Sequence, residues 1–184
     1  MIADKKLSTV LKELPQNVSG VFKDSYIVDF LDLPHNHKEK DLQNGLIGSL
    51  KEFILELGLG FAFIGQEYRV QVGNEDFYID LLFFHRTLQC LVAFELKVGK
   101  FKPSDLGQLE FYLEALDRDV KQPQENLSIG VLLCREKNDE VVEYALSRTL
   151  SPTIISQYKT KLIPKEILQQ KMNELYEQLE NEEN

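Results

Sequence analysis

The stretch FYIDLLFFHRTLQCLVAFELKV, residues 77–98, decides how the chain is read. It holds two runs rich in β-branched and aromatic residues, 77–86 and 88–98, both of strand composition. Asp80 interrupts FYIDLLFF, where a carboxylate is costly unless it is paired, hydrogen-bonded or metal-bound. In LVAFELKV, Glu95 and Lys97 stand two residues apart, so the period of a strand places both on one face. Adjacent strands can thus present an Asp, a Glu and a Lys together.

Working outward, FAFIGQEYRVQV (61–72) precedes these runs across a GNED turn, which predicts a meander of three strands. Upstream, Leu42, Leu46, Ile47, Leu50, Phe53, Ile54 and Leu57 fall within one arc of a helix. This predicts a single helix from Lys38 to Leu59, stopped by Gly58 and Gly60. Gln43 lies inside that apolar arc, Glu56 on its border and Glu52 near the opposite face. Downstream, PSDLGQLEFYLEALDRDV (103–120) reads as a second helix, with Ser104 as N-cap and Leu106, Leu109, Leu113 and Leu116 on one face. The apolar strand SIGVLLCR (128–135) follows, then a helix over NDEVVEYALSR (138–148), a short strand around TIISQY (153–158) and a final helix from Pro164 to Leu179. A strand–helix–strand crossover pairs in parallel whereas hairpins pair antiparallel. The order α, β, β, β, α, β therefore predicts an α/β fold with a central mixed sheet flanked by helices.

The 184 residues are 43% hydrophobic and 28% charged, a balance that excludes disorder and a collagen repeat and suits one core domain with additions. The expected partition is a helical lead-in over 1–36, a core over 37–163, and a C-terminal helix with a fraying acidic tail over 164–184. The lead-in comprises a helical stretch from Lys5 to Leu14, a turn-like PQNVSG and the apolar SYIVDFLDL before Pro34. No apolar run approaches the roughly 20 residues of a membrane span, and the N-terminus lacks a signal-peptide core, so a soluble cytoplasmic protein is expected. Cys90 and Cys134 sit inside apolar runs and read as buried reduced thiols. His35, His37 and His85 have no zinc-ligand spacing with them. The net charge of −9 argues against holding nucleic acid by bulk positive charge, yet Lys97, Lys100 and Lys102 form a local basic cluster that leaves room for a phosphate-binding cleft.

Metal-dependent phosphodiester hydrolysis needs this set of side chains, with hard oxygen ligands holding Mg²⁺ or Mn²⁺ against a phosphate. Lys97 would orient or activate the attacking water, or stabilise charge developing on phosphorus. The competing reading is a structural ion-pair network.

The combination D-x14-E-x-K on Asp80, Glu95 and Lys97, after a helix and a hairpin, resembles the PDDEXK nuclease superfamily with its restriction-endonuclease-like αβββαβ core. Gln108 and Tyr112 match the Q-x3-Y of RecB-like members, and their spacing puts both on neighbouring turns of one helix. The stretches FYIDLLFFHRTLQCLVAFELKVGKFKPSDLGQLEFYLEALD and SIGVLLCREKNDEVVEYAL look like the C-terminal nuclease domain of the YhcG-like family, from about Tyr26 to the last helix. The resemblance implies a nuclease that cuts nucleic acid, DNA in preference to RNA, with Mg²⁺ or Mn²⁺. It makes Asp80 and Glu95 metal ligands and Asp80, Glu95, Lys97, Gln108 and Tyr112 the catalytic set. It also implies association with a separate helical domain, which members of the family commonly carry, and leaves a homodimer open.

The superfamily often places a Glu on the first helix, where this chain has Lys40, Asp41, Leu42 and Gln43. The Gln43 amide can still coordinate a metal or a water but brings no negative charge, and Glu56 is the alternative if the end of the helix reaches the site. Gln43 keeps open a second function, that of a catalytically degenerate module binding nucleic acid or protein. Lys100 and Lys102 are candidate phosphate contacts, and Phe101 between them either stacks on a base or packs. His85 reads as a strand-end surface residue, and Tyr78 as a core aromatic on the face of Asp80. Leu168, Met172, Leu175 and Leu179 form an apolar stripe expected to pack on the domain, the alternative being a partner helix.

Overall fold

The computed structural model describes residues 18–160 together with 169, 170, 172–174, 176 and 177. These residues form a six-stranded sheet: β1 (Ser25–Ile27), β2 (Phe61–Val72), β3 (Glu75–His85), β4 (Cys90–Lys100), β5 (Ile129–Glu136) and β6 (Thr153–Lys159). The spatial order is β1-β6-β5-β4-β3-β2. The first three pairings in that order are parallel and the last two antiparallel, which is the expected mixed sheet. Helices α1 (Glu39–Gly48) and α2 (Leu50–Leu57) cover one face, α3 (Leu106–Asp119) and α4 (Asp139–Leu146) the other.

Sheet and helices follow from local chemistry at each boundary. Gly73 and Asn74 both have positive φ, 59° and 64°, and close the β2–β3 hairpin as a two-residue turn. From Cys90 to Leu96, β4 is buried throughout, as a central strand covered on both faces must be. Asn138 caps α4 by accepting from the N–H groups of Glu140 at 3.0 Å and Val141 at 3.2 Å. Ser104 does not cap α3. Pro103–Asp105 forms a short 3-10 turn instead, and the Asp105 carboxylate accepts from the Lys102 N–H at 2.9 Å.

Three further expectations need correcting. The single helix over 38–59 is two helices broken at Ser49 (φ −119°, ψ 41°), directly after Gly48, a residue of low helix propensity. Apolar residues on both pieces still meet the same core, so periodicity alone did not reveal the break. His85 is buried rather than superficial, with Nε2 3.1 Å from the Leu59 carbonyl and Nδ1 accepting from the Leu88 N–H at 3.1 Å. Tyr78 is 51% exposed, not a core aromatic.

The core beneath α1 and α2 is aromatic. Phe53 meets Phe83 and Phe94 edge-to-face at ring separations of 5.9 and 6.1 Å, and Phe61 meets Phe83 at 6.2 Å. Such pairs add about 0.5–1.5 kcal/mol each beyond their buried area. Val18, Phe22, Tyr26, Val28 and Leu31 join this core from the segment before residue 37, and β1 pairs with β6 from Ser25↔Gln157 to Ile27↔Lys159. Cys90 and Cys134 are buried free thiols, as expected. The stretch Lys5–Leu14, the acidic tail, and Leu168, Leu175 and Leu179 of the apolar stripe lie outside the described residues, whereas Met172 is described and exposed. Among the described residues no helix is long and apolar enough to cross a membrane.

Gly130 sets the distance between β5 and α3, because a Cβ there would lie 2.9 Å from Leu109 Cγ and Cδ2. Gly130→Ala is expected to destabilise the fold by about 1–3 kcal/mol through overpacking. Urea unfolding checks this as a lowered midpoint at unchanged m-value.

Candidate metal and nucleic-acid site

Asp80 stands where β3 leaves β4. The β3–β4 register runs from His85↔Cys90 to Leu81↔Phe94 and stops there, while β4 continues to pair with β5 at Glu95, Leu96 and Lys97. Across the gap, Asp80 Oδ2 accepts from the Leu96 N–H at 2.8 Å. The Asp80 carbonyl in turn accepts from Gln43 Nε2 of α1 at 2.9 Å.

The hairpin changes its packing at the same point. Phe61, Leu81 and Phe83 belong to the core under α1 and α2, whereas Val70 and Ile79 belong to the core under α3. Glu67, with φ 45°, marks the switch on β2, and the flanking pairs Gln66↔Leu81 and Tyr68↔Ile79 set it opposite Asp80. A local break in strand geometry of this kind re-aims side chains.

Glu95 is buried at 5% exposure, and its Oε2 has no hydrogen-bond partner. Lys97 Nζ lies 3.9 Å from Glu95 Oε1, an ion pair but too long for a hydrogen bond. From α3, Gln108 Nε2 donates to the Tyr112 hydroxyl at 2.7 Å, and the Tyr112 ring is buried. Burial raises the Tyr112 phenol's pKa, the Gln108 bond opposes this, and the charges of Glu95 and Asp80 raise it further, so α3 looks onto both carboxylates. Asp80, Glu95, Lys97, Gln43, Gln108 and Tyr112 thus surround one gap in the sheet.

Electrostatics in the gap favour a cation. Burial, and next the charge of Asp80, push the Glu95 carboxyl up to about 8, with Lys97 opposing. Asp80 is also raised, first by burial; the Leu96 bond and Lys97 oppose this, while Glu39 and Glu67 add to it. Among the described residues no group of three or more His, Cys, Asp or Glu could hold a metal by itself. Two oxygen donors, one of them with an unpartnered buried atom, fit a hard cation that keeps several waters or takes phosphate oxygens as further ligands.

Sequence reasoning missed Glu39, Glu67, Asp105 and Lys40. Glu39 and Asp105 act on the Glu95 carboxyl through charge alone, and Lys40 Nζ bridges the Glu67 carboxylate and Gln43 Oε1. Only Lys40 carried a signal, its i, i+3 spacing to Gln43 on one helix face. Lys100 and Lys102 are exposed beyond the site, and Phe101 between them packs in the α3 core, which removes the stacking alternative. Glu56 does not reach the gap: it accepts from the Ile27 N–H at 2.9 Å and pairs with Lys23 at 3.2 Å, at the opposite edge of the sheet.

Because the folded Glu95 carboxyl titrates near 8 against an ordinary 4.5, the native state binds the extra proton between those values. Stability therefore falls as pH rises through that window. Metal-free Glu95→Gln protein is expected to lose this slope and to be more stable than the parent at pH 8 but not at pH 4.5, as thermal unfolding across that range would show.

Two solved structures resemble the chain only loosely. A repair endonuclease from Pyrococcus abyssi aligns at a TM-score of 0.44 and 15% identity, over 72% of this chain and 50% of that one. EndoMS in a complex with dsDNA aligns at 0.44 and 18% identity, over 74% of this chain and 49% of that one. The Escherichia coli (strain K12) protein named "Putative nuclease YhcG" is 41% identical over 149 residues, 81% of this chain. This chain spans only 39% of that relative's length. The model of the YhcG PDDEXK nuclease domain matches residues 19–176, so the chain belongs to the YhcG PDDEXK nuclease-domain family.

Proposed function

We propose that the protein is a divalent-metal-dependent nuclease that hydrolyses phosphodiester bonds of nucleic acid, with DNA the expected substrate. The observation that carries this reading is the buried, unpartnered Oε2 of Glu95 beside Asp80, with the Lys97 ammonium at the same opening. A carboxylate left unsatisfied in a sheet costs stability, and a Mg²⁺ or Mn²⁺ ion together with a substrate phosphate would supply what it lacks. When bound, the ion supplies Lewis acidity and a more acidic water.

The chain's own residues supply the rest. Asp80 and Glu95 offer ligand oxygens. Lys97 orients the attacking water or stabilises charge developing on phosphorus. Tyr112, held by Gln108, borders the carboxylates as a positioning group. Gln43 spends its N–H on the Asp80 carbonyl and its oxygen on Lys40, so in this reading it acts on the ion through Asp80 rather than as a direct ligand. Lys100 and Lys102 extend the basic edge toward flanking phosphates. The core over 37–163 would carry the chemistry, with residues 18–31 of the 1–36 segment packed into it and 164–184 following in sequence. A separate helical domain, of the kind the family resemblance implies, is the proposed protein partner. Two buried thiols agree with a reducing, cytoplasmic setting.

Gln43 favours one second reading, a nucleic-acid-binding or protein-interaction module without turnover, because a neutral amide replaces an acid next to the ion site. End-labelled single-stranded, duplex and branched DNA, and RNA, incubated with Mg²⁺ or Mn²⁺, separate the two. Asp80→Ala and Lys97→Ala are each expected to lower cleavage by at least about a hundredfold with far-UV circular dichroism retained. Equal cleavage by parent and Asp80→Ala would refute the assigned site, and binding without cleavage by the folded parent would favour the module. Calorimetry with Mn²⁺ is expected to give heat for the parent and none for Asp80→Ala.

A further inference from the structure

Beyond Asp80 the β2–β3 hairpin runs on without β4 as a two-stranded arm, paired from Tyr68↔Ile79 to Val72↔Glu75. Its inner face is pinned to α3: Val70 and Ile79 are buried there, and the Phe77 ring lies 4.8 Å from that of Phe111. Its outer face presents Arg69, Gln71, Asp76 and Tyr78, all exposed. Arg69 and Tyr78 are directly opposed across the ladder, so their side chains stand side by side. Tyr78 is two residues, about 7 Å, from Asp80 along β3.

This pairing is odd for a surface strand. A large aromatic that is 51% exposed makes little contribution to folding, and here it stands next to a guanidinium tethered by Asp76 at 2.8 Å. Asp76 engages one nitrogen of the Arg69 fork, which has further donors to offer. A tyrosine ring offers sequence-tolerant stacking to any base whose face is accessible, and bases inside a duplex are already stacked on one another. The arm is rigid because its other face is core, which lowers the ordering cost of a contact.

We propose that Tyr78 and Arg69 form a platform for single-stranded nucleic acid, Tyr78 stacking on an unpaired base and Arg69 holding a phosphate, one nucleotide away from the bond cut at Asp80 and Glu95. The platform rests on the nuclease reading for its direction but is tested by binding.

The test uses the full chain in EDTA with fluorescein-labelled oligo(dT), a blunt duplex, and an oligonucleotide containing 2-aminopurine. Tyr78→Ala is expected to weaken oligo(dT) binding roughly 5- to 150-fold, the equivalent of about 1–3 kcal/mol for a stacked base. Tyr78→Phe is expected to bind like the parent. The parent and Tyr78→Phe should quench 2-aminopurine and Tyr78→Ala should not. Arg69→Ala is expected to weaken binding and reduce the salt slope by about one. Binding by Tyr78→Ala equal to the parent, equal losses on duplex and oligo(dT), or no binding by the parent would each overturn the platform. The nuclease reading is judged separately by Asp80→Ala cleavage at saturating Mn²⁺, so a platform that fails while that cleavage is lost leaves the nuclease standing.

Discussion

The hydrogen bond from the Leu96 N–H to Asp80 Oδ2, 2.8 Å long, is where the antiparallel half of the sheet opens and the site begins. Downstream of Phe94, β4 has a partner in β5 but no ladder with β3. A buried backbone N–H left without a partner costs about 1–3 kcal/mol, and the Asp80 carboxylate removes that cost at Leu96. Gln43 does the same for the Asp80 carbonyl from the helix on the other side. Side chains thus replace ladder bonds, and the strands separate without orphaned groups at those positions.

The separation creates space lined by like charges. Asp80 raises the proton affinity of Glu95 on top of the effect of burial, Glu39 and Glu67 add to that of Asp80, and Lys97 stands too far away to hydrogen-bond Glu95. Each pKa unit corresponds to about 1.4 kcal/mol, so an ionised Glu95 is a substantial local penalty. The fold bears it because the strands that present these groups are anchored elsewhere. Phe94, adjacent to Glu95, packs edge-to-face on Phe53 and Phe83 at 6.1 and 5.4 Å, and α3 closes the opposite face. Rigidity on both sides keeps two repelling carboxylates from drifting apart.

The break in the hairpin at Glu67 matters as much as its register. At Asp80, opposite Glu67, the alternation of β3 slips by one position: Leu81 and Phe83 face α1 and α2, whereas Ile79 faces α3. That switch frees the outer face of the distal arm and turns it toward solvent beside the gap. Lys40 and Glu67 close the gap from the β2 side, tying α1 to the bend in the hairpin.

Much of this was legible in the sequence, because the signals were local. Runs rich in β-branched and aromatic residues revealed β2 to β4, helical spacing revealed α3, and the cost of charge in apolar strands singled out Asp80, Glu95 and Lys97. What stayed hidden depended on contacts between distant segments. The break at Ser49 left the apolar arc intact. His85 was buried by a loop carbonyl at Leu59 and Glu56 was recruited by β1, neither of which is a neighbour in sequence. Tyr78 read as a core aromatic by its residue type, yet it stands on the exposed face of the arm. The order from β2 to β6, the mixed sheet and the identity of the charged trio were local information, since propensity and burial cost act over a few residues, whereas β1 and the division of the first helix were not. Only the tertiary structure decided that Asp80 caps Leu96, that Lys40 and Glu67 join the rim, and that the arm shows Arg69 and Tyr78 to solvent. Strand separation arises from contacts between distant segments, and no short window of sequence encodes it.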